Sequence, residues 1–215
     1  MYNHCYKIVG FLIMSLIGYS PAYSQYDNQI AQAEPDQGRY LFEEGSYKEA
    51  IIRFNETIEK DSFNIQAYYF RGKTKMIFED LHGAMKDYNT IIAINPKFAD
   101  AYHERGNVKF ALQDYYGAIE DYGLAIGLNP NLVEAYYQRG KARRELAAYQ
   151  DAINDFTKIL DFDAHNVDAY YLRGVIKIEH GLLQEGCLDL SKAGELGDLK
   201  AYETIREVCN RREIK

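Results

Sequence analysis

Apolar residues recur at three- and four-residue spacing in two stretches of every 34-residue window between residues 31 and 200, which predicts two amphipathic helices per window. The helices are expected over positions 1–14 and about 18–31 of units 31–64, 65–98, 99–132, 133–166 and 167–200. Fixed columns run through these units. Position 8 is Gly38, Gly72, Gly106, Gly140 and Gly174, and position 4 is Tyr68, Tyr102, Tyr136 and Tyr170. Position 20 is Ala50, Ala84, Ala118, Ala152 and then Gly186; position 24 is Phe54, Tyr88, Tyr122, Phe156 and then Leu190. Small residues at 8 and 20 let paired helices approach where they cross, and aromatics at 4 and 24 fill the wider gaps. Asn95-Pro96 and Asn129-Pro130 are expected to end the second helix, because the residue before proline avoids helical geometry. A period of this length marks a stacked array whose neighbouring units share one core.

These columns resemble the tetratricopeptide repeat over about 170 of the 215 residues. The resemblance implies an all-α fold: a right-handed α-solenoid (superhelix) of antiparallel helix pairs with a C-terminal capping helix. Residues 199–210 supply one more amphipathic helix for that cap, within a closing segment of cap and tail that runs over 201–215. The first unit is weak in its opening helix, with Pro35 and Gly38 close together, and the fifth degrades through Gly186, Gly194 and Gly197.

Two departures from the family pattern are coupled. The family's Trp at position 4 is Tyr here, and its Leu at position 7 is Arg71, Arg105, Arg139 and Arg173. The same four units carry Asp87, Asp121, Asp155 and Asp189 at position 23, whereas the first unit has Gln37 and Arg53 in those places. Matched presence and absence predicts a repeated ion pair between first and second helices; two independent surface charges are the alternative.

In the family, first helices line the concave surface, with positions 2, 5, 9, 12 and 13 facing a bound peptide. The resemblance therefore implies a groove lined by Tyr69, His103, Tyr137 and Tyr171 at position 5, and by Lys73, Asn107 and Lys141 at position 9. Phe110 and Arg144 join them at position 12. An aromatic row beside an interrupted basic row suits an extended acidic segment or a free carboxylate. Only Asn107 matches the family's two-carboxylate clamp, so that clamp is not expected. The tyrosines at position 5 could equally pack between neighbouring first helices.

Composition adds the limits. The formal charge of -7 argues against a nucleic-acid partner, which needs a basic face. Twenty Tyr against no Trp fits one aromatic reused at a repeated position. In residues 1–24 Lys7 is the only charged side chain, Ile8 to Tyr19 is an apolar run, and Ala22-Tyr23-Ser24 follows, the order of a secretory signal peptide. A retained membrane anchor is the alternative, but that run is shorter than the roughly 20 residues of a span. The expectation is an exported protein, periplasmic or extracellular, with residues 25–34 flexible and no integral span in its mature form.

Cys5 would leave with the signal, so Cys187 and Cys209 remain, an even pair that suggests a disulfide in an exported chain. Two buried free thiols are the alternative. No cofactor and no catalysis are expected: His82, His103, His165 and His180 occupy unrelated repeat positions, and there is no phosphate loop or nucleophile elbow. The expected role is a non-catalytic scaffold or adaptor of the cell envelope with a protein or peptide partner. Self-association into a homo-oligomer stays open, as does a tethered or cytosolic co-chaperone if the N-terminal segment is retained.

Overall fold

The computed structural model describes residues 37–209; the expected signal peptide, the 25–34 segment and residues 210–215 lie outside the described residues. Eleven helices and no strand occur among the described residues. They are α1 (37–43), α2 (Tyr47–Lys60), α3 (Ile65–Ile77), α4 (Leu81–Ile94), α5 (Ala99–Ala111), α6 (Tyr115–Leu128), α7 (Val133–Glu145), α8 (Tyr149–Phe162), α9 (Val167–Glu179), α10 (Leu183–Glu195) and α11 (Leu199–Thr204), the last running into a π turn over Ile205–Cys209. The chain divides into two compact units, 37–74 and 75–209 as described, with the boundary inside α3.

Local chemistry sets the helix ends. Position 15 closes the first helix of each repeat in the left-handed region: Gly45 (φ 80°), Glu79 (60°), Gln113 (62°), Ala147 (55°) and Gly181 (90°). The next N–H then reaches back to position 11, as Asp114 N does to Lys109 O at 2.9 Å. Asp80 and Asp114 cap α4 and α6 by accepting from the N–H of Gly83 and Gly117. The second helices end differently from the sequence expectation. Position 31 is Asp61, Asn95, Asn129 or Asp163, and in all four its side chain accepts the N–H two residues on, at 2.9–3.2 Å. The Asx turn is common to units with and without proline, so it, and not proline alone, stops the helix.

In the smaller unit, Ala50, Phe54 and Ala67 are buried together against Leu41, Phe42, Ile58 and Phe70. In the larger unit each helix packs on the next in sequence. The pairs are antiparallel: Lys109 on α5 reaches Gly117 O on α6, while Arg105, one turn earlier, reaches Asp121, one turn later. Small residues do admit close approach, but position 8 faces position 24. A Cβ on Gly106 would lie 2.6 Å from the Tyr122 ring, and one on Gly140 would lie 2.8 Å from the Phe156 ring.

The fifth repeat solves the same contact another way. Leu190 replaces the aromatic, and a Cβ on Gly174 or Gly186 would lie 2.9 or 2.6 Å from the other's carbonyl oxygen. Two glycines thus let two backbones close the gap that a ring fills elsewhere. Residue Ala201 of α11 is fully buried, as are Ala67, Ala101, Ala135 and Ala169 at position 3. The cap is therefore a sixth first helix, brought two residues early by a shorter loop, with Tyr202 seated where a Cβ on Gly194 would touch its ring. Regular α-helix stops at Thr204, short of the expected 199–210, and continues as the π turn.

Candidate functional site

Three of the expected ion pairs are present in full. Arg105, Arg139 and Arg173 meet Asp121, Asp155 and Asp189 with closest N–O distances of 2.6–2.7 Å. Each guanidinium also lies 5.5 Å from the ring of the tyrosine three residues earlier, Tyr102, Tyr136 or Tyr170. Sequence reasoning missed a further member. Position 11 is Lys75, Lys109, Arg143 and Lys177, and each brings a cation to the aspartate of its repeat, at 2.6–2.9 Å. Asp121 and Asp155 are 1–3% exposed, so each carboxylate is buried between two cations. The signal was in the columns: Leu41 stands at position 11 in the one unit that also lacks the Arg and the Asp.

The arginine reaches one repeat further. Arg105 donates to Asn89 at 2.8 Å, Arg173 to Thr157 at 3.1 Å and, within the smaller unit, Arg71 to Asn55 at 2.7 Å. All three acceptors stand at position 25 of the preceding repeat. The charged columns thus tie the two helices of a repeat and tie that repeat to the one before; their role is structural. The hydrogen bond to Asp121 dominates the environment of Arg105 and raises its guanidinium above the ordinary range, against the opposing effect of burial.

In the second to fifth repeats, position 5 and position 9 residues lie on the other face of the first helices, all half-buried. In the smaller unit the Lys73 ammonium stands 5.8 Å from the Phe42 ring and 5.6 Å from the Tyr69 ring. The larger unit repeats the arrangement: Lys141 stands 5.2 Å from Phe110 and 5.6 Å from Tyr137, and it contacts Gln138 Oε1 at 3.3 Å. Both lysines therefore lie between an aromatic at position 12 of one repeat and the tyrosine at position 5 of the next. Asn107 is engaged from within, accepting from the Tyr122 hydroxyl at 2.9 Å and donating to Glu104 at 3.0 Å. His103 lies beside that pair, its ring centroid 5.8 Å from that of Tyr122. Arg144 makes a two-point pair with Glu179 of the next first helix, so its charge is matched inside the protein.

Tyr137 and Tyr171 line a cleft of about 480 Å³ with Val167, Asp168 and Leu172 of α9 and Leu196, Gly197, Asp198 and Lys200 at the start of the cap. Burial, with the charge of Asp168 adding to it, raises the Tyr137 phenol above its ordinary value. Position 2 supplies the acids that sequence reasoning passed over: Asp100, Glu134 and Asp168 open α5, α7 and α9. Acids there also suit the positive end of a helix dipole. Cys187 and Cys209 face each other with their Cα atoms 6.1 Å apart, inside the span of a disulfide.

The sequence matches a model described as a TPR repeat over residues 106–146 and a tetratricopeptide-repeat model over 133–166. No curated protein sequence matches it. Several solved structures share its fold. A MamA structure is 24% identical, covering 77% of this chain and 96% of its own, with a TM-score of 0.70. YrrB, described as a TPR protein with an unusual peptide-binding site, is 20% identical over 81% of this chain and 90% of its own, with a TM-score of 0.70. A thermophilic TPR protein of Thermus thermophilus is 18% identical over 83% and 98%, with a TM-score of 0.62.

Proposed function

For this chain, which is a tetratricopeptide-repeat protein, we propose a non-catalytic role: it holds an extended segment of another protein against the tyrosine face of its first helices. The carrying observation is the cleft bounded by Tyr137 and Tyr171, two residues of the position-5 column, on a wall that the cap completes. Tyrosine supplies large, rigid contact area at low entropic cost, the property that marks binding hot spots. Lys141 beside Tyr137 supplies a cation for an acidic group of the bound segment. That YrrB is described as having a peptide-binding site supports the same use of the fold.

Export follows as part of this reading. The N-terminal order of Lys7, the apolar run Ile8 to Tyr19 and the small residues before Gln25 supports secretion to a periplasm or cell exterior. A disulfide between Cys187 and Cys209 would then pin the end of the cap to α10. Mass spectrometry of the mature protein's N-terminal peptide should find Gln25, free or cyclised to pyroglutamate, as the first residue; retention of Met1 would refute cleavage after Ser24.

The binding claim is tested with a photo-crosslinking amino acid at Tyr171. Crosslinked partners should fall at least tenfold in yield when Tyr137→Ala is added, since a central aromatic contributes about 2 kcal/mol or more. Unchanged yield from a folded variant would remove the groove from consideration.

A further inference from the structure

Resting on the groove reading above, we propose that the cleft between α9 and the start of the cap takes a basic side chain, an arginine or lysine of the bound segment. The walls of the cleft are the two tyrosines, and its charged lining is Asp168, Asp198 and Lys200. Two carboxylates against one ammonium leave it net negative. Lys200 is exposed, and its flexible stem lets the ammonium move into solvent while the aspartates stay at their helix starts. Asp198 is fixed by its capping bond from Lys200 N at 2.9 Å, with the charge of that carboxylate on the cleft side of α11.

The protein already uses this chemistry inside its repeats. Arg105, Arg139 and Arg173 each lie over a tyrosine ring while an aspartate takes their charge. Tyr137 and Tyr171 with Asp168 and Asp198 present the same two elements, an aromatic face and a carboxylate, toward solvent. An acidic side chain is disfavoured at this end, where two carboxylates stand against the single ammonium of Lys200. The bound segment is therefore bipolar: an acidic group toward Lys141 and a basic group toward Asp168.

Panning a phage-displayed random-peptide library on the immobilised mature protein tests this. Enriched peptides are synthesised and measured by fluorescence anisotropy against wild type, Tyr137→Ala, and the isosteric double variant Asp168→Asn/Asp198→Asn, which keeps an amide oxygen to cap the start of α11. The expected result is a recurrent Arg or Lys, at least tenfold weaker binding to the double variant, and a similar loss when that Arg is replaced by the uncharged isostere citrulline. Peptides that depend on Tyr137 but carry no basic residue, or that bind the double variant equally, would overturn the basic-side-chain assignment and leave the groove standing. Absence of enrichment, or peptides indifferent to Tyr137→Ala, would overturn both.

Discussion

Replacing Asp121 by Asn probes the charged columns most directly, because it removes one charge and almost no volume. Asp121 is 1% exposed and accepts from Arg105 Nε at 2.8 Å, from Arg105 Nη2 at 2.6 Å and from Lys109 Nζ at 2.9 Å. An amide oxygen can replace one or two of these contacts, while the amide NH₂ turns a donor toward a cation. Arg105 and Lys109 then face each other without a counter-charge, at 19% side-chain exposure. Breaking a buried pair by removing one partner costs about 3–5 kcal/mol, and the partial access of both cations to water places this case near about 3 kcal/mol. For a chain of this size that corresponds to a fall in Tm of about 6–12 °C. The assay is urea unfolding followed by circular dichroism, with hydrogen exchange at α5 and α6 to locate the loss, because a repeat array can open in stages. The triple variant Arg105→Leu/Lys109→Met/Asp121→Leu should recover most of the stability, since apolar replacement of a whole buried ionic cluster is often near neutral. A loss below about 1 kcal/mol for Asp121→Asn would refute the buried-carboxylate argument.

Three further outcomes follow from the geometry. Burial pushes the Tyr122 phenol well above its unfolded value of about 10, so its contribution is complete below that pH and is lost as pH rises above it, by about 1.4 kcal/mol per pH unit. Tyr122→Phe should cost about 1 kcal/mol at neutral pH through the lost bond to Asn107, yet show a shallower alkaline decline in urea midpoint; parallel declines would contradict this. Ala147 sits at φ 55°, so Ala147→Gly should raise stability by about 1 kcal/mol, where the same change in mid-helix would lower it. Non-reducing peptide mapping should link Cys187 to Cys209, and Cys209→Ser should cost up to about 3 kcal/mol, confined in hydrogen exchange to α10 and α11; two free thiols in the mature protein would refute the bond.

Spacing carried the fold. Five glycines 34 residues apart located every helix pair, because a stacked array repeats its contacts at the repeat length. The pairing of Arg105, Arg139 and Arg173 with their aspartates was legible from matched absence in the first unit. The cation at position 11 went unread because Arg143 interrupts Lys75, Lys109 and Lys177 there, and a residue-identity column hides a shared charge. Three-dimensional closure hid the rest. Nothing local marks Leu190 as the reason for Gly186; the relation appears only where two backbones come so close that a Cβ on either glycine would lie 2.6–2.9 Å from the other's carbonyl oxygen. The cleft was likewise out of reach, since four of its nine lining residues come from Leu196 to Lys200, which a strict 34-residue register misplaces by two residues.

The first helices therefore separate two uses of charge by helical face. Positions 4, 7 and 11 recur at three- and four-residue spacing, so they share one face and point their tyrosine, arginine and lysine at the paired helix and the preceding repeat. Positions 2, 5 and 9 share another face and place acid, tyrosine and lysine along the groove, as Asp168, Tyr171 and Tyr137 show where they meet in one cleft. Asp121, Asp155 and Asp189 each lie within hydrogen-bond distance of two cations, so that face keeps its charge in clusters inside the protein. Among the groove charges, Lys141 is half-buried between two rings and Asp168 is exposed. Substitution of an exposed groove charge such as Asp168 should then alter binding with little change in stability, whereas Tyr137→Ala also loses the packing of its ring on the core and on Phe156, 5.7 Å away. A Tyr137→Ala variant that unfolds as readily as Asp121→Asn would show that the two faces are not separable, and that the position-5 tyrosines serve packing first.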